Sequence, residues 1–399
     1  MATNNNNKAL NVPHLRFPEF SGEWNKCTIN DLATVVGGGT PDTTVKSYWG
    51  GDIQWFTPSE IGKNKYVDFS LRTITRDGLD NSSAKLLPLQ TILLSSRATV
   101  GECSIASNEC TTNQGFQSLI AKQCNIDFLY YLIQTKKKDL IRNACGSTFL
   151  EISANEIRKI KVAVPVQNEQ EQIAKLLSLI DERIATQNKI IEKLQSLIKG
   201  LVDELMTVLL KGKLYPFSSF YIKAGEGGTP TTSVVEYYTE GTIPFIKIED
   251  LSCKYLTNNK DFITELGMQK SSAWLIPSKS VIYSNGATIG AISINEYPVC
   301  TKQGILGIVP NTNINVEYLY LLMSSSYFSK EISRIITEGT MKTAYLKDIN
   351  HIKCPLPSMA QQKNITNLTS SIEEKLSIEQ ELLRFLNLQK QYLLHMMFI

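Results

Sequence analysis

The sequence predicts an α/β fold made of two duplicated domains, each followed by a long coiled-coil helix, with the two helices antiparallel in a pseudo-two-fold arrangement. Three observations carry this expectation. Ser82-Ser83-Ala84-Lys85-Leu86-Leu87-Pro88 returns 189 residues later as Ser271-Ser272-Ala273-Trp274-Leu275-Ile276-Pro277, and Ser95-Ser96-Arg97-Ala98-Thr99-Val100-Gly101 returns at the same offset as Ser284-Asn285-Gly286-Ala287-Thr288-Ile289-Gly290. Gly38-Gly39-Thr40-Pro41 and Thr112-Asn113-Gln114-Gly115 repeat in the same order as Gly227-Gly228-Thr229-Pro230 and Thr301-Lys302-Gln303-Gly304. Each copy then ends in a sustained heptad pattern. Two copies, each far longer than a solenoid unit of roughly 20–50 residues, mean a duplicated domain rather than an array.

Taken in order, residues 1–20 form an N-terminal segment. Its Asn4-Asn5-Asn6-Asn7 run has no apolar surface to bury and is expected to be disordered. Residues 21–165 form the first α/β domain. Asp52-Ile53-Gln54-Trp55-Phe56 and Thr91-Ile92-Leu93-Leu94 read as short strands bounded by Gly, Pro and Asn, and so do Ile243-Pro244-Phe245-Ile246 and Ser280-Val281-Ile282-Tyr283 in the second domain, residues 212–357. Short helices follow over 126–142 and 316–336; in the first, Phe128, Leu129, Leu132, Ile133, Leu140 and Ile141 share one apolar face.

The remaining segments, 166–211 and 358–399, are the two long helices. Ile173, Leu177, Ile180, Ile184, Gln187, Ile191, Leu194, Ile198, Leu201, Leu205 and Val208 step by alternating fours and threes, a seam of roughly 50 Å at 1.5 Å per residue. Ile365, Thr369, Ile372, Leu376, Glu379, Leu383, Leu386, Lys390, Leu393 and Met397 repeat the rhythm. Each domain precedes its helix, so an antiparallel pair would set the domains at opposite ends of a rod. Gln187 and Glu379, 192 residues apart, would form a polar layer fixing the register.

Composition sets limits. A hydrophobic content of 42% with a formal net charge of +3 describes a globular chain, on which any basic nucleic-acid surface must be local. Eight cysteines with no Cys-x-x-Cys pair point to reduced thiols in the cytoplasm, and three histidines spread over positions 14, 351 and 395 argue against a His-based zinc site or a Ser-His-Asp triad. Leu194 to Leu210 is the most apolar long stretch, but Gln195, Lys199, Asp203 and Glu204 interrupt it, so no membrane span is expected. No Pro-Pro pair exists to build the Asp/Asn-Pro-Pro-aromatic loop of an adenine methyltransferase, and no Gly-x-x-x-x-Gly-Lys-Ser/Thr phosphate cradle is present. The glycine clusters lead into Thr-Pro and extended sequence rather than a helix, unlike a dinucleotide site.

Pro13-His14-Leu15-Arg16-Phe17-Pro18-Glu19-Phe20, the Gly-Gly-Thr-Pro stretches with Tyr48-Trp49-Gly50-Gly51-Asp52-Ile53, the Ser96–Gly101 loop, Gln114-Gly115, Pro165…Glu169-Gln170 and the terminal Met396-Met397-Phe398-Ile399 together resemble the specificity subunit of type I restriction-modification enzymes over nearly the whole chain. The resemblance implies two target-recognition domains separated by two long helices, each domain reading half of a bipartite double-stranded DNA target. It also implies docking of two methyltransferase subunits, which carry S-adenosylmethionine and modify adenine, and of restriction/translocase subunits; no cofactor is expected in this chain. A rod of this length suits half-sites that recur about every 34 Å on one duplex face. One departure is visible: the second copy has Gln361-Gln362 where the first has Glu169-Gln170.

On this reading the chain is non-catalytic. DNA contact requires phosphate donors and side chains able to pair with base edges. In the first copy the candidates are Thr57, Ser59, Lys63, Lys65, Arg97 and Gln114; in the second they are Lys247, Glu249, Lys254, Asn285, Lys302 and Gln303. Arg97 against Gly286 is the clearest contrast between copies, with a structural salt bridge as the competing role for Arg97. Gln114 and Gln303, common to both copies, fit backbone contact or support of the fold better than base discrimination. Helix pairing falls to Ile173, Leu177, Ile180, Ile184, Gln187, Ile191 and Leu194 with Ile365, Ile372, Leu376, Glu379, Leu383 and Leu386. The alternative function is a coiled-coil assembly protein whose duplicated domains bind protein ligands, against which the paired Gly-Thr-Pro and Ala-Thr-Ile/Val-Gly loops stand.

Overall fold

The computed structural model describes residues 11–146, 150–336 and 342–399. The disorder expected of Asn4–Asn7 falls outside them. The chain divides into two compact units, one of residues 1–188 and 381–399, the other of residues 189–380.

The two units repeat one topology. In the first, a five-stranded sheet has the order Ala33–Gly37, Gln117–Ala121, Ile92–Leu94, Cys103–Ala106, Tyr66–Val67, beside a three-stranded sheet of Arg72–Ile74, Trp49–Phe56 and Cys110–Thr112. In the second, the corresponding orders are Tyr221–Glu226, Ile305–Pro310, Val281–Ser284, Ile292–Asn295, Tyr255–Leu256 and Phe262–Ile263, Ile243–Ile246, Cys300–Thr301. A two-strand ribbon closes each unit, Asn25–Thr28 with Lys161–Val164 and Leu214–Pro216 with Lys353–Pro355. The duplication read from sequence is thus a duplication of sheet order.

Each apolar stretch expected as helix is broken once. Ile126–Thr135 and Lys137–Arg142 flank Lys136, and Val316–Ser324 and Ser326–Ile335 flank Ser325, whose extended backbone (ψ 154°) ends one helix while its hydroxyl accepts the Phe328 N–H to start the next. Phe128, Leu129, Leu132, Ile133 and Leu140 are fully buried, as their spacing predicts, whereas Ile141, expected on the same face, is 41% exposed, since at about 100° per residue it falls outside the arc that those five share.

The long helices are Gln167–Leu209, 43 residues, and Met359–Met397, 39 residues. In the first unit Ile173, Leu177 and Ile180 share a core with Leu393, Met397 and Phe398, and Lys390 pairs with Asp181 at 2.6 Å. In the second, Val202 and Met206 share a core with Ile365 and with Phe217, Phe220 and Phe328 of the α/β layer. The early part of one helix thus meets the late part of the other within each unit.

The heptad expectation needs correction toward the end of the first helix. Val202 and Met206 are buried there, while Leu201 and Leu205 are half-buried and Val208 is 61% exposed. A straight α-helix drifts by about 20° per heptad against a strict seven-residue repeat, so a pattern that begins on the buried face leaves it after several turns. Of the other expected pairing positions, Gln187, Ile191 and Leu386 are also buried, and Ile184, Leu194, Ile372, Leu376, Glu379 and Leu383 are half-buried.

Candidate nucleic-acid interface

Three of the repeated motifs meet in each unit. In the first, the Gly38 and Gly39 amides donate to the Phe116 and Thr112 carbonyls, the Ser96 amide donates to Gly115 at 2.8 Å, and the Thr40 hydroxyl donates to the Gln114 side chain. The glycines are there because the backbones touch. A Cβ on Gly38 would lie 2.0 Å from the Asn113 carbonyl oxygen, and one on Gly39 would lie 2.3 Å from the Ala84 nitrogen. Pro58, in the turn that follows the strand Trp49–Phe56, closes the junction against Gly115.

In the second unit Gly227 donates to Ile305, Asn285 donates to Gly304 at 3.0 Å, and the Thr229 hydroxyl accepts from the Gln303 amide at 3.4 Å. Lys302 donates its amide to Ile246, next to Lys247. Thr57, Ser59, Arg97 and Gln114 therefore gather around one junction, and Lys247, Glu249, Lys302 and Gln303 around its counterpart. Ser59, Arg97, Gln114, Glu249, Lys302 and Gln303 are exposed, and Thr57 and Lys247 half-buried.

Within these junctions the side chains differ. Thr57 and Lys247 hold equivalent places at the start of a short 3-10 turn, each amide donating to an acid three residues on, Glu60 at 2.7 Å and Asp250 at 2.8 Å. The Lys247 ammonium also pairs with Asp261 at 2.8 Å, and its pKa is raised by that hydrogen bond. Arg97 makes the ion pair weighed against a reading role: its guanidinium donates to Glu151 at 2.6 Å, both side chains more than two-fifths exposed.

Four expected contacts lie elsewhere. Lys65 and Lys254 do not project from loop tips but turn inward toward the long helices. Lys65, its side chain 9% exposed, pairs with Asp127 at 2.7 Å and donates to Ser178 at 2.7 Å, beside Tyr131, which donates to Asp181 at 2.6 Å. Lys254 pairs with Glu317 and, at 2.5 Å, with Glu373. Burial alone would push the Lys254 ammonium down; the two carboxylates outweigh it and its pKa rises. Lys63 lies on the same side as Lys65, lining a cavity of about 630 Å³ that Lys65, Asp181 and Lys390 also line. Asn285 is 1% exposed; its side-chain amide donates to the Ala344 carbonyl at 3.1 Å, so it holds two backbones together instead of facing a base.

Sequence reasoning missed a matched pair of anchors at the start of the long helices. Gln170 accepts the Asn125 amide at 3.0 Å and donates to the Pro165 carbonyl at 3.0 Å; Gln362 accepts the Asn315 amide at 2.7 Å and donates to the Pro357 carbonyl at 2.9 Å. Their 192-residue spacing was the available signal. Glu169 is fully buried and takes both Arg16, at 2.7 Å, and the Trp24 indole, at 3.2 Å. Gln361 instead accepts the Ser358 amide at 3.0 Å. Among the described residues no group of three or more His, Cys, Asp or Glu side chains is placed to hold a metal.

Residues 21–196 and 220–387 each match the type I restriction modification DNA specificity domain. The chain belongs to that family. Its relatives include the type I restriction enzyme MjaIX specificity subunit of Methanocaldococcus jannaschii, 29% identical over 382 residues and covering 89% of this chain and 88% of the relative. Another is the EcoR124I/EcoR124II specificity subunit of Escherichia coli, 29% identical over 42% of this chain and 43% of the relative. The fold is shared with the solved S subunit of a type I restriction-modification system from M. genitalium, at TM-score 0.55 and 19% identity over 97% of this chain and 99% of that one. It is shared too with a chain solved in work on complex assembly and conformational transition of the type I system, at TM-score 0.57 and 14% identity over 93% and 96%. The repeated motif junctions are therefore features of two DNA-specificity domains, and this specificity chain is a non-catalytic component of a restriction-modification system. No helix among the described residues is long and apolar enough to cross a membrane.

Proposed function

We propose that each unit reads one half of a bipartite duplex target, and that the chain carries methyltransferase subunits which methylate adenine at N6 with S-adenosylmethionine, two per chain, with restriction subunits joining them in the cytoplasm. The observation that supports this reading is the paired junction. The same sheet order and the same three loops recur, yet the side chains they present differ, half-buried Thr57 and exposed Ser59 against half-buried Lys247 and exposed Glu249. A common scaffold with divergent exposed polar groups is what two different half-sites require.

Co-expression with a methyltransferase partner tests it. The expected result is a complex of two methyltransferase subunits per chain whose genome-wide N6-methyladenine map shows one motif in two parts with a fixed gap. A continuous motif would remove the two-reader assignment, and a complex that leaves adenine unmodified would remove the methyltransferase role.

A further inference from the structure

Among the described large apolar side chains, Leu71 and Phe69 are the most exposed, at 87% and 81%. Single exposed apolar residues are ordinary, but these two flank a pinned residue. The Ser70 amide donates to the Gln54 side chain at 2.7 Å, its hydroxyl accepts the Trp55 amide at 2.9 Å and donates to the Arg72 carbonyl at 2.6 Å, and the Leu71 amide donates to Glu60 at 2.6 Å. The segment is fixed at its centre, with an apolar group presented to solvent on either side.

Arg72 follows directly. Its guanidinium carbon lies 3.6 Å from the centre of the Trp49 ring and 5.5 Å from that of Trp55, and among the described residues it has no carboxylate partner. Stacking fixes the plane of the guanidinium and leaves its N–H edge uncommitted. The platform is seated on the Gly-Gly-Thr-Pro loop, since the Trp55 indole donates to the Gly39 carbonyl at 2.9 Å and the Trp49 indole to the Asp42 carbonyl at 3.1 Å. Glu60, which holds Leu71, belongs to the Thr57–Glu60 turn that abuts Gly115.

The second unit keeps the pinning and changes the surface. Asn259 replaces Ser70, donating to the Asp261 carbonyl at 2.6 Å and accepting from the Tyr297 hydroxyl at 2.8 Å. Phe69, Leu71 and Arg72 become Asn258, Lys260 and Asp261, and Asp261 neutralises Lys247.

We propose that Phe69 and Leu71 form an apolar wedge that the first unit presses against the bases of its half-site, with Arg72 donating its free edge to the DNA beside them, and that the second unit reads its half-site without a wedge. Apolar side chains set beside cationic donors are the means by which proteins unstack or bend a duplex step, or contact thymine methyl groups. A rigid segment presents them without an ordering cost on binding. The assignment rests on the two-reader proposal above.

The test uses the full chain assembled with its methyltransferase partner. The wild-type methylation motif is mapped first, and a duplex carrying it is used to measure Kd for Phe69→Ala/Leu71→Ala, for Arg72→Ala, and for the exchange Phe69→Asn/Leu71→Lys, which leaves Ser70 in place and exposes less apolar surface. Binding should weaken about 10- to 100-fold in each variant, and the methylation motif should lose definition in one half only. That half must differ from the one altered by Lys247→Ala. A Kd within about two-fold of wild type with an unchanged motif overturns the wedge while leaving the two-reader proposal intact. Loss of methyltransferase from the DNA-free complex would assign the segment to a protein partner instead. A wild-type complex with no two-part motif removes both proposals.

Discussion

Lys65 and Lys254 show how one residue type at one repeated position is diverted from a surface to an interior task. Sequence offers both as DNA-contact candidates in loops that follow strand ends, with a solvated surface position as the competing role. Folding instead sets each between a carboxylate of its own α/β domain, Asp127 or Glu317, and the face of a long helix. Replacing Lys254 by Met leaves Glu317 and Glu373 facing each other uncompensated, at an expected cost of about 2–4 kcal/mol in denaturant unfolding, with a Glu317→Gln/Glu373→Gln background recovering most of it. The pH dependence has a definite sign. Because the folded pKa of Lys254 is raised above its ordinary 10.5, its contribution is fully present below that value and is lost as pH rises through the folded pKa. Wild type should therefore lose stability faster than Lys254→Met above about pH 10. Arg97→Ala, by contrast, removes a half-exposed pair and should change stability by less than about 1 kcal/mol.

At the scale of the element, the long helices were legible in outline and misread in rotation. The heptad pattern identified both helices and most of their buried early positions, but it carried the seam on to Val208, where the structure buries Met206. Met206→Ala should accordingly cost about 2–5 kcal/mol and Val208→Ala less than about 0.5 kcal/mol, a contrast that calorimetry can read. Sequence marked Pro165 and Pro357 as helix starts. What it did not show is that Gln170 and Gln362 tie each start to the capping turn of a neighbouring helix, at Asn125 and Asn315. Gln170→Ala leaves the half-buried Asn125 amide and the buried Pro165 carbonyl short of a partner and should destabilise the first unit by about 1–3 kcal/mol.

For the molecule as a whole, the copies defined by sequence and the units defined by packing are different partitions. The first unit takes its last nineteen residues from the far end of the chain, and Leu393, Met397 and Phe398 lie in the core that holds Trp24 and Phe128. Phe398 stacks on Phe128 with ring centres 5.2 Å apart. A chain ending at Gln380 should therefore lose amide protection over Phe128–Ile133, more than 240 residues upstream of the cut by sequence position, while Leu319–Met323 keeps its protection in hydrogen exchange. Equal loss in both segments would place the dependence outside this core.

The duplication, the alternation of α/β domain and helix, the family and the three motifs of the junction are legible in the amino-acid order alone. These are local or repeated signals: close backbone approach demands glycine at Gly38 and Gly39, and an apolar period demands a helix. Which polar side chains face solvent depends on contacts between distant parts of the chain. Lys254 and Lys302 are both lysines in strand-flanking loops, one enclosed by Glu317 and Glu373 and the other exposed beside Gln303. Phe69 and Leu71 belong to residue types that burial normally claims, yet pinning of Ser70 by Gln54 and Trp55 holds them in solvent. Charge pairing and backbone anchoring act between residues distant in sequence, so no local pattern encodes which side of a loop each group will occupy.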